Sequence, residues 1–319
     1  MYKKFYGLKD NPFNVSPDPR YLFMTEEVEE ALSSLKYGIH TRKGIISLTG
    51  EVGTGKTTLI NQLLNWLSQR RAKTAFLFNS RMNSLQLFDF VLAEFEIVCD
   101  SRSKSHQLMK LNQWLLDRFR AGETAVLIID EAQNLTFPVL EEVRMLTNLE
   151  TSTEKLLQIV LSGQPELEEK LKLPQLRQLR QRIMLRCKTG PLSKQQTHDY
   201  VIQRLKIAGA ADNGQAIFSP RALETVYLYS LGIPRVINLL CEHSLINGYA
   251  NQKRPIDPEI VEGVAHEFQL DEVEPIAPPG SLQGGADVYT SEAFIQNLGE
   301  ALSRFRMSPP SSLPGRWRK

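Results

Sequence analysis

A glycine-rich run that ends in lysine and threonine carries the clearest chemistry of the sequence. Residues 50–57 read GEVGTGKT and fit the phosphate-binding pattern G-x-x-x-x-G-K-[ST]. In such a loop the backbone N–H groups surround the phosphates, Lys56 bridges the β- and γ-phosphates, and the Thr57 hydroxyl binds Mg²⁺. An apolar stretch before the run and a helical pattern after it match the required context. The predicted nucleotide-binding residues here are Gly50, Glu51, Val52, Gly53, Thr54, Gly55, Lys56, Thr57 and Thr58.

Two consecutive carboxylates follow a second apolar stretch. Residues 125–129 read AVLII and are followed by Asp130 and Glu131. We expect Asp130 to hold the Mg²⁺ shell and Glu131 to polarise the water that attacks the γ-phosphate. A strand that ends in Asp-Glu is often only the start of a solvated loop, but the phosphate-binding run earlier in the chain favours the catalytic role. We therefore predict hydrolysis of ATP and not binding alone, because transfer to water needs a group that positions the water.

Three weaker polar features are candidates for completing this site. Ser162 and Gln164 follow an apolar strand, at the sheet edge where ligands of open α/β sheets bind, although an ordinary polar strand exit explains them equally well. Residues 176–182 contain three arginines, which either face solvent or supply an arginine finger to a neighbouring subunit. Arg235 lies in the first turn of a predicted helix, where the helix dipole disfavours a cation. This misfit indicates another role, such as contact with the γ-phosphate across a domain cleft.

The hydrophobic pattern predicts the elements that position these groups. Short, nearly continuous apolar runs alternate with helical spacing, which is typical of a parallel α/β sheet. The predicted strands are residues 45–48, 74–78, 125–129, 156–161 and 183–187, and the predicted helices between them are residues 57–69, 84–98, 105–120 and 138–149. The fold class is therefore a five-stranded parallel P-loop sheet.

Composition divides the chain further. We expect an N-terminal segment and helix at 1–40 that contribute to the nucleotide pocket, an α/β domain at 41–190 and a helical lid at 191–269. Ser219 and Asp257 are each followed by proline and mark helix starts in the lid. Residues 270–319 are rich in Pro, Gly and Ser, which predicts a linker or a disordered tail; within it an amphipathic stretch at 291–306 would dock on a partner or on the protein itself.

The bulk composition narrows the function classes. The 38 basic and 36 acidic residues leave a formal charge of only +2, so net charge gives no argument for nucleic acid or an anionic membrane as a partner. We expect Cys99, Cys187 and Cys241 to be small core residues in a reducing compartment, since they are odd in number and widely spaced. No stretch approaches the roughly 20 apolar residues that span a bilayer. We therefore expect a cytoplasmic protein without a membrane-spanning segment, and leave open whether a partner recruits it to the inner membrane.

The whole arrangement resembles the AAA+ ATPases of the ExeA type, also called general secretion pathway protein A. The resemblance covers roughly residues 1–268 and is carried by the segments FYGL, NPF, PDPRYL, LTGEVGTGKT, IDEAQNL, LSGQPEL, LRQLRQRI and GIPRVIN. It implies an ATPase core with an α-helical lid. It also implies a homo-oligomer in which ATP lies at the subunit interfaces.

The resemblance further implies roles for single residues. It places Ser162 or Gln164 at the first sensor and Arg235 at the second sensor. It places Arg180 or Arg182 at the arginine finger, and residues 11–22 near the adenine.

The resemblance implies one class of partner, and the basic residues of the sequence keep a second class open. ExeA-type proteins assist the assembly of envelope machinery, which implies a protein partner in type II secretion, pilus assembly or exopolysaccharide export. Longer members carry a membrane segment and a peptidoglycan-binding region after the core, which we do not expect in residues 270–319. The alternative is a DNA-associated regulator of the transposition-ATPase kind, for which the basic residues within 177–188 and 316–319 are the argument. A third possibility, a scaffold that binds nucleotide without turnover, is disfavoured by the intact Lys56 and Glu131.

Overall fold

The centre of the molecule is a parallel sheet, seen in a computed structural model that describes residues 1–14, 18–78, 82–211 and 217–270. The strands are Ile45–Thr49 (β1), Ala72–Leu77 (β2), Thr124–Ile129 (β3), Leu157–Gly163 (β4) and Ile183–Lys188 (β5). Their order is β2-β3-β4-β1-β5, and every neighbouring pair is parallel. The predicted five-stranded parallel α/β sheet is confirmed. The predicted tail beyond residue 270, with its amphipathic stretch, lies outside the described residues.

Helices cover both faces of this sheet and form a second body beside it. Those in the N-terminal and α/β parts are Tyr2–Tyr6 (α1), Glu26–His40 (α2), Lys56–Ser68 (α3), Ser84–Glu94 (α4), Lys104–Arg120 (α5), Phe137–Leu146 (α6), Pro165–Lys172 (α7) and Arg177–Arg182 (α8). The lid contains Lys194–Ile207 (α9), Pro220–Ser230 (α10), Pro234–Ala250 (α11) and Pro258–Glu267 (α12). Among the described ranges, no helix is both long and apolar enough to cross a membrane.

The strands are apolar because two helical layers cover them. Successive strand side chains point to opposite faces, so Ile45 packs with the layer of α4 to α8 and Ile46 packs with α2 and α3. The inner strands β1 and β4 are fully buried, whereas the edge strand β5 alternates between buried and exposed positions. The alternation of buried and exposed residues that marks a half-covered strand is thus absent from β1 and β4 and clear in β5.

The N-terminal segment packs on the lid and not on the sheet. Tyr6, Leu8 and Phe13 are buried in the same apolar cluster as the lid helices. The Lys9 N–H donates to the Ala208 carbonyl at 2.8 Å. Helix α1 was not predicted, because a five-residue helix with two adjacent lysines has no recognisable apolar period.

Capping side chains start several helices where the sequence predicted them. The Ser219 hydroxyl accepts a hydrogen bond from the Ala222 N–H at 3.1 Å, and the Asp257 carboxylate accepts one from the Ile260 N–H at 3.2 Å. Each such cap stabilises its helix by about 1 kcal/mol. The two predicted helix starts in the lid are confirmed.

The three cysteines differ in burial. Cys187 and Cys241 are buried, as predicted, and all three thiols are free. The prediction was wrong for Cys99, which is only half-buried. It lies in the loop after α4, packs against the edge of the core and donates a 3.3 Å hydrogen bond to the Ser101 carbonyl.

Candidate nucleotide-binding site

The phosphate-binding loop, residues 50–57, joins the end of β1 to the start of α3. Glycine is required at two of its positions by close packing. A Cβ on Gly50 would lie 2.2 Å from the Thr189 hydroxyl and 2.5 Å from the Thr189 carbonyl. Gly53 has a φ of 82°, and a Cβ there would lie 2.7 Å from the Cβ of Arg235. The loop is therefore in contact with both the end of β5 and the lid.

Lys56 lies inside this loop. Its Nζ donates to the carbonyl of Gly50 at 2.7 Å and to that of Glu51 at 2.9 Å, and the residue is only 7% exposed. Burial lowers the pKa of Lys56, and the nearby carboxylates of Glu131 and Asp130 oppose that shift. A buried ammonium held among backbone groups can form strong charge-assisted hydrogen bonds to phosphate oxygens.

The carboxylate of Asp130 lies at the end of β3 and faces the start of α3. Its Oδ1 accepts hydrogen bonds from the Ser162 hydroxyl at 2.7 Å and from the Glu131 N–H at 3.0 Å. Its Oδ2 lies 3.5 Å from the Thr57 hydroxyl oxygen. A hydroxyl and a carboxylate side by side are hard oxygen donors, which fit Mg²⁺. Thr57 and Asp130, for which the sequence predicts a metal role, are therefore the residues that would hold Mg²⁺, and Ser162 would fix the carboxylate.

The Glu131 carboxylate is held by two amide side chains. Its Oε2 accepts from Gln133 Nε2 at 2.5 Å and from Gln164 Nε2 at 3.2 Å. Gln133 Oε1 in turn accepts from the Gln164 N–H at 3.2 Å. Glu131 itself has a φ of 53°, a region that non-glycine residues seldom adopt and that often marks functional sites. The backbone and both amides thus fix the direction of this carboxylate.

Gln133 is a site residue that the sequence reasoning missed. It is the last residue of the run Asp-Glu-Ala-Gln, on the short turn Ala132–Asn134. The available signal was an amide two residues after the candidate water-activating glutamate, where a tight turn brings both side chains to the same side.

A cavity of about 620 Å³ opens above the loop. Its size is typical of small-ligand sites. Nine of the predicted site residues line it: Val52, Gly53, Thr54, Gly55, Lys56, Thr57, Thr58, Glu131 and Arg235. The N-terminal segment adds Asn14, Asp18, Tyr21 and Leu22, and the lid adds Tyr200, Arg204 and Asn238.

Arg235 connects the lid to the loop. It is exposed and is the second residue of α11. Its N–H donates to the Gly53 carbonyl at 3.2 Å. Arg235 thus lies at the boundary between the lid and the phosphate-binding loop and lines the cavity.

Arg180 and Arg182 lie away from this cavity. They belong to α8, which leads into the amino end of β5, whereas the loop follows the carboxyl end of β1 in the same parallel sheet. Arg182 donates to the Thr147 hydroxyl at 2.5 Å and to Asn148 Oδ1 at 2.7 Å. Arg180 lines a separate cavity of about 270 Å³ with Arg186 and Ser47. The structure does not bring either arginine to the site of its own chain.

Known proteins are similar to this chain in sequence and in fold. A family model described as an AAA domain matches residues 39–171. General secretion pathway protein A from Aeromonas hydrophila is 41% identical over 300 residues, which cover 94% of this chain and 53% of the relative. Residues 39–171 thus belong to the AAA domain family, and the chain is similar over almost its whole length to general secretion pathway protein A. It spans about half the length of that relative.

Solved structures show the same core fold at low sequence identity. Cdc6p from Pyrobaculum aerophilum is 19% identical, with a TM-score of 0.63 over 82% of this chain and 71% of that chain. The ORC2 protein of Aeropyrum pernix is 15% identical, with a TM-score of 0.61 over 84% of this chain and 74% of that chain. Both overlaps exceed the AAA domain match, so the shared fold extends beyond residues 39–171.

Proposed function

We propose that this protein hydrolyses ATP with Mg²⁺ and uses the resulting conformational change to assist the assembly of an envelope system. The observation that carries the proposal is the placement of Asp130 Oδ2 3.5 Å from the Thr57 hydroxyl, directly beside the buried Lys56. Glu131 follows in the chain and lines the cavity. Two oxygen donors suited to Mg²⁺, a buried ammonium and a second carboxylate thus lie close together, which supports the proposal.

Each residue of the site has a distinct task in this reaction. Lys56 and the loop N–H groups bind and orient the phosphates, and Thr57 and Asp130 hold the metal. Bound Mg²⁺ would neutralise charge on the β- and γ-phosphate oxygens. Glu131, with its direction fixed by Gln133 and Gln164, orients the attacking water and accepts its proton. Catalysis rests on positioning and charge, as in other phosphoryl transfers.

Contacts between the loop and the lid supply the conformational part of the proposal. The Arg235 N–H donates to the Gly53 carbonyl, and the hydroxyls of Thr54 and Thr189 are 2.8 Å apart. The lid begins just after Thr189. A change of the loop between ATP-bound and ADP-bound states would therefore move the start of the lid.

We further propose a homo-oligomer in which Arg180 or Arg182 reaches the site of a neighbouring copy. The support is their position at the amino edge of the sheet, from which their own site is out of reach. The partner would be a protein of an envelope or secretion system, as the name of the Aeromonas hydrophila relative indicates, and the reaction would take place in the cytoplasm.

The test is Mg²⁺-dependent phosphate release from ATP, measured against protein concentration. We expect a specific activity that rises with concentration, and a Lys56→Ala variant that neither binds nor hydrolyses ATP. Absence of Mg²⁺-dependent turnover in the parent at saturating ATP would overturn the proposal. Stimulation by duplex DNA that is lost with added salt would instead favour the DNA-associated alternative.

A further inference from the structure

The smaller cavity, of about 270 Å³, is lined by strands β1 and β5 and by helices α7 and α8. Six side chains form its wall: Ser47, Glu168, Leu171, Lys172, Arg180 and Arg186. None of these six lines the nucleotide cavity, so the two cavities are built from different parts of the described chain. Two arginines and a serine around one small space are donors that suit a negatively charged ligand.

Ser47 and Arg186 are neighbours on one face of the sheet. They are partners in the register of the parallel strands β1 and β5. Ser47 lies two residues after Ile45, which packs with the layer of α4 to α8, so both side chains point to that layer. Ser47 is only 4% exposed, and its hydroxyl makes no hydrogen bond to another described residue. Buried hydroxyls are seldom left unpaired, so this donor is available to a ligand in the cavity.

Positive charge exceeds negative charge at this cavity. Lys172 pairs with Glu169 at 2.6 Å, and Lys188 pairs with Glu168 at 3.0 Å. Neither Arg180 nor Arg186 forms an ion pair or a side-chain hydrogen bond within the described chain. With the two lysines matched by the two glutamates, the arginines leave a net charge of +2.

Glu168 is the carboxylate on the described wall of this cavity. One of its oxygens accepts a hydrogen bond from the Thr49 hydroxyl, and the other accepts one from Lys188 Nζ. Burial would raise the pKa of Glu168, but these hydrogen bonds and the charges of Lys188 and Arg186 outweigh it and lower the pKa. Arg186 thus acts on Glu168 through its charge, and its N–H groups remain donors for another acceptor.

We propose that Arg180, Arg186 and Ser47 bind a phosphate-type oxyanion in this cavity. Two of the donors come from the sheet, and the third comes from a helix packed over it. A tetrahedral phosphate offers oxygens in several directions, whereas a carboxylate offers two in one plane, and guanidinium groups match phosphate well. Inorganic phosphate, the product of the proposed ATP hydrolysis, is the simplest such ligand.

This site goes beyond the proposed function, because neither Ser47 nor Arg186 has a task in ATP hydrolysis. It places Arg180 in a cavity of its own chain and leaves Arg182 as the candidate for the finger. A phosphate bound here would connect α8 and β5 to β1, the strand that leads into the phosphate-binding loop.

The test is binding of inorganic phosphate to the full chain without nucleotide, measured by calorimetry. We expect saturable binding by the parent, with affinity lower by about 10-fold or more in Arg186→Ala and by about 3- to 10-fold in Ser47→Ala. Arg177→Ala is the matched control, since it removes an exposed arginine of α8 that does not line the cavity. Its affinity should stay within about 2-fold of the parent's.

Lys56→Ala separates this cavity from the phosphate-binding loop, where phosphate would also bind. It should keep the affinity of the cavity. Binding that is lost in Lys56→Ala and kept in Arg186→Ala would place the phosphate at the loop and overturn the inference. An equal loss in Arg177→Ala would show attraction by surface charge alone and would overturn it too, as would no saturable binding below about 10 mM phosphate.

Two further measurements guard against effects on folding. Without phosphate, Ser47→Ala should melt at the temperature of the parent, because its hydroxyl has no partner in the described chain. Arg186→Lys keeps the charge but loses the planar set of donors, and it should bind phosphate several-fold more weakly than the parent. Absence of ATP hydrolysis would leave this inference standing, because the test uses neither ATP nor turnover.

Discussion

Ser162 donates a 2.7 Å hydrogen bond to Asp130 Oδ1, which joins the ends of the neighbouring strands β4 and β3 beneath the cavity. Both side chains are buried. The bond occupies one carboxylate oxygen and leaves the other facing Thr57. Ser162, a candidate for the first sensor, is therefore placed to orient the carboxylate that we propose holds the metal.

Replacing this serine should weaken the metal site. In Ser162→Ala, Asp130 loses a partner that fixes its direction, and outer-shell losses of this kind cost about 10-fold or more in metal affinity. We expect the Mg²⁺ concentration for half-maximal ATP hydrolysis to rise by about that factor. Titration of activity with Mg²⁺ at saturating ATP measures it, with Ser162→Thr as the control that keeps the hydroxyl. An unchanged Mg²⁺ requirement in the alanine variant would show that the bond is only structural.

Removing the amides that hold Glu131 should separate binding from turnover. In Gln133→Ala or Gln164→Ala the carboxylate keeps its charge but loses one of its two hydrogen bonds. We expect kcat to fall about 10-fold for each, with ATP affinity nearly unchanged, because a misdirected base acts poorly in the transition state only. Parallel losses in binding and turnover would contradict this role.

The cysteines offer a direct test of the fold. Burial raises the pKa of Cys187 to about 11, so at pH 8 its thiol remains protonated and shielded from reagents. Cys241 is also buried, and burial raises its pKa too. A thiol-specific disulfide reagent at pH 8 should therefore modify one thiol of the native protein, Cys99, and all three after unfolding. Cys99→Ser should abolish the native reaction, and rapid modification of Cys187 would contradict the structure of β5.

An arginine finger acting between copies predicts rescue by mixing. Glu131→Gln should lose most activity, and so should Arg182→Ala if Arg182 is the finger, by about 10³-fold or more. Mixed together, they should recover activity, because an intact Glu131 on one copy would face an intact Arg182 on another. The measurement is phosphate release from mixtures at constant total protein, with Arg180→Ala tested in the same way. If only the Arg180 variant is rescued, that residue is the finger; rescue of neither would contradict a shared site.

The sheet was predictable because its strands are short apolar runs between helical patterns. Each of the five predicted strands overlaps the observed one, with ends that differ by at most two residues. The short helices α7 and α8 were not predicted, since six to eight residues rich in charge give no clear apolar period.

The phosphate-binding loop and Asp130 were predictable because their chemistry depends on adjacent residues. Contacts between residues that are far apart in the sequence could not be predicted. Tyr2 donates to Glu242 at 2.9 Å across 240 positions, and no local pattern indicates such a contact. Arg204 was missed for a related reason, because arginines are rarely buried and its surroundings form only when the N-terminal segment meets α9.

Turnover and ATP binding by Glu131→Gln test the central claim most directly. The variant keeps an oxygen that can accept from Gln133 and Gln164 but cannot serve as a base. We predict an ATP Kd within about 3-fold of the parent's and Mg²⁺-dependent phosphate release slower by about 10²- to 10⁴-fold. Release at the parent's rate, with ATP bound equally well, would contradict the assignment of Glu131 as the group that activates water.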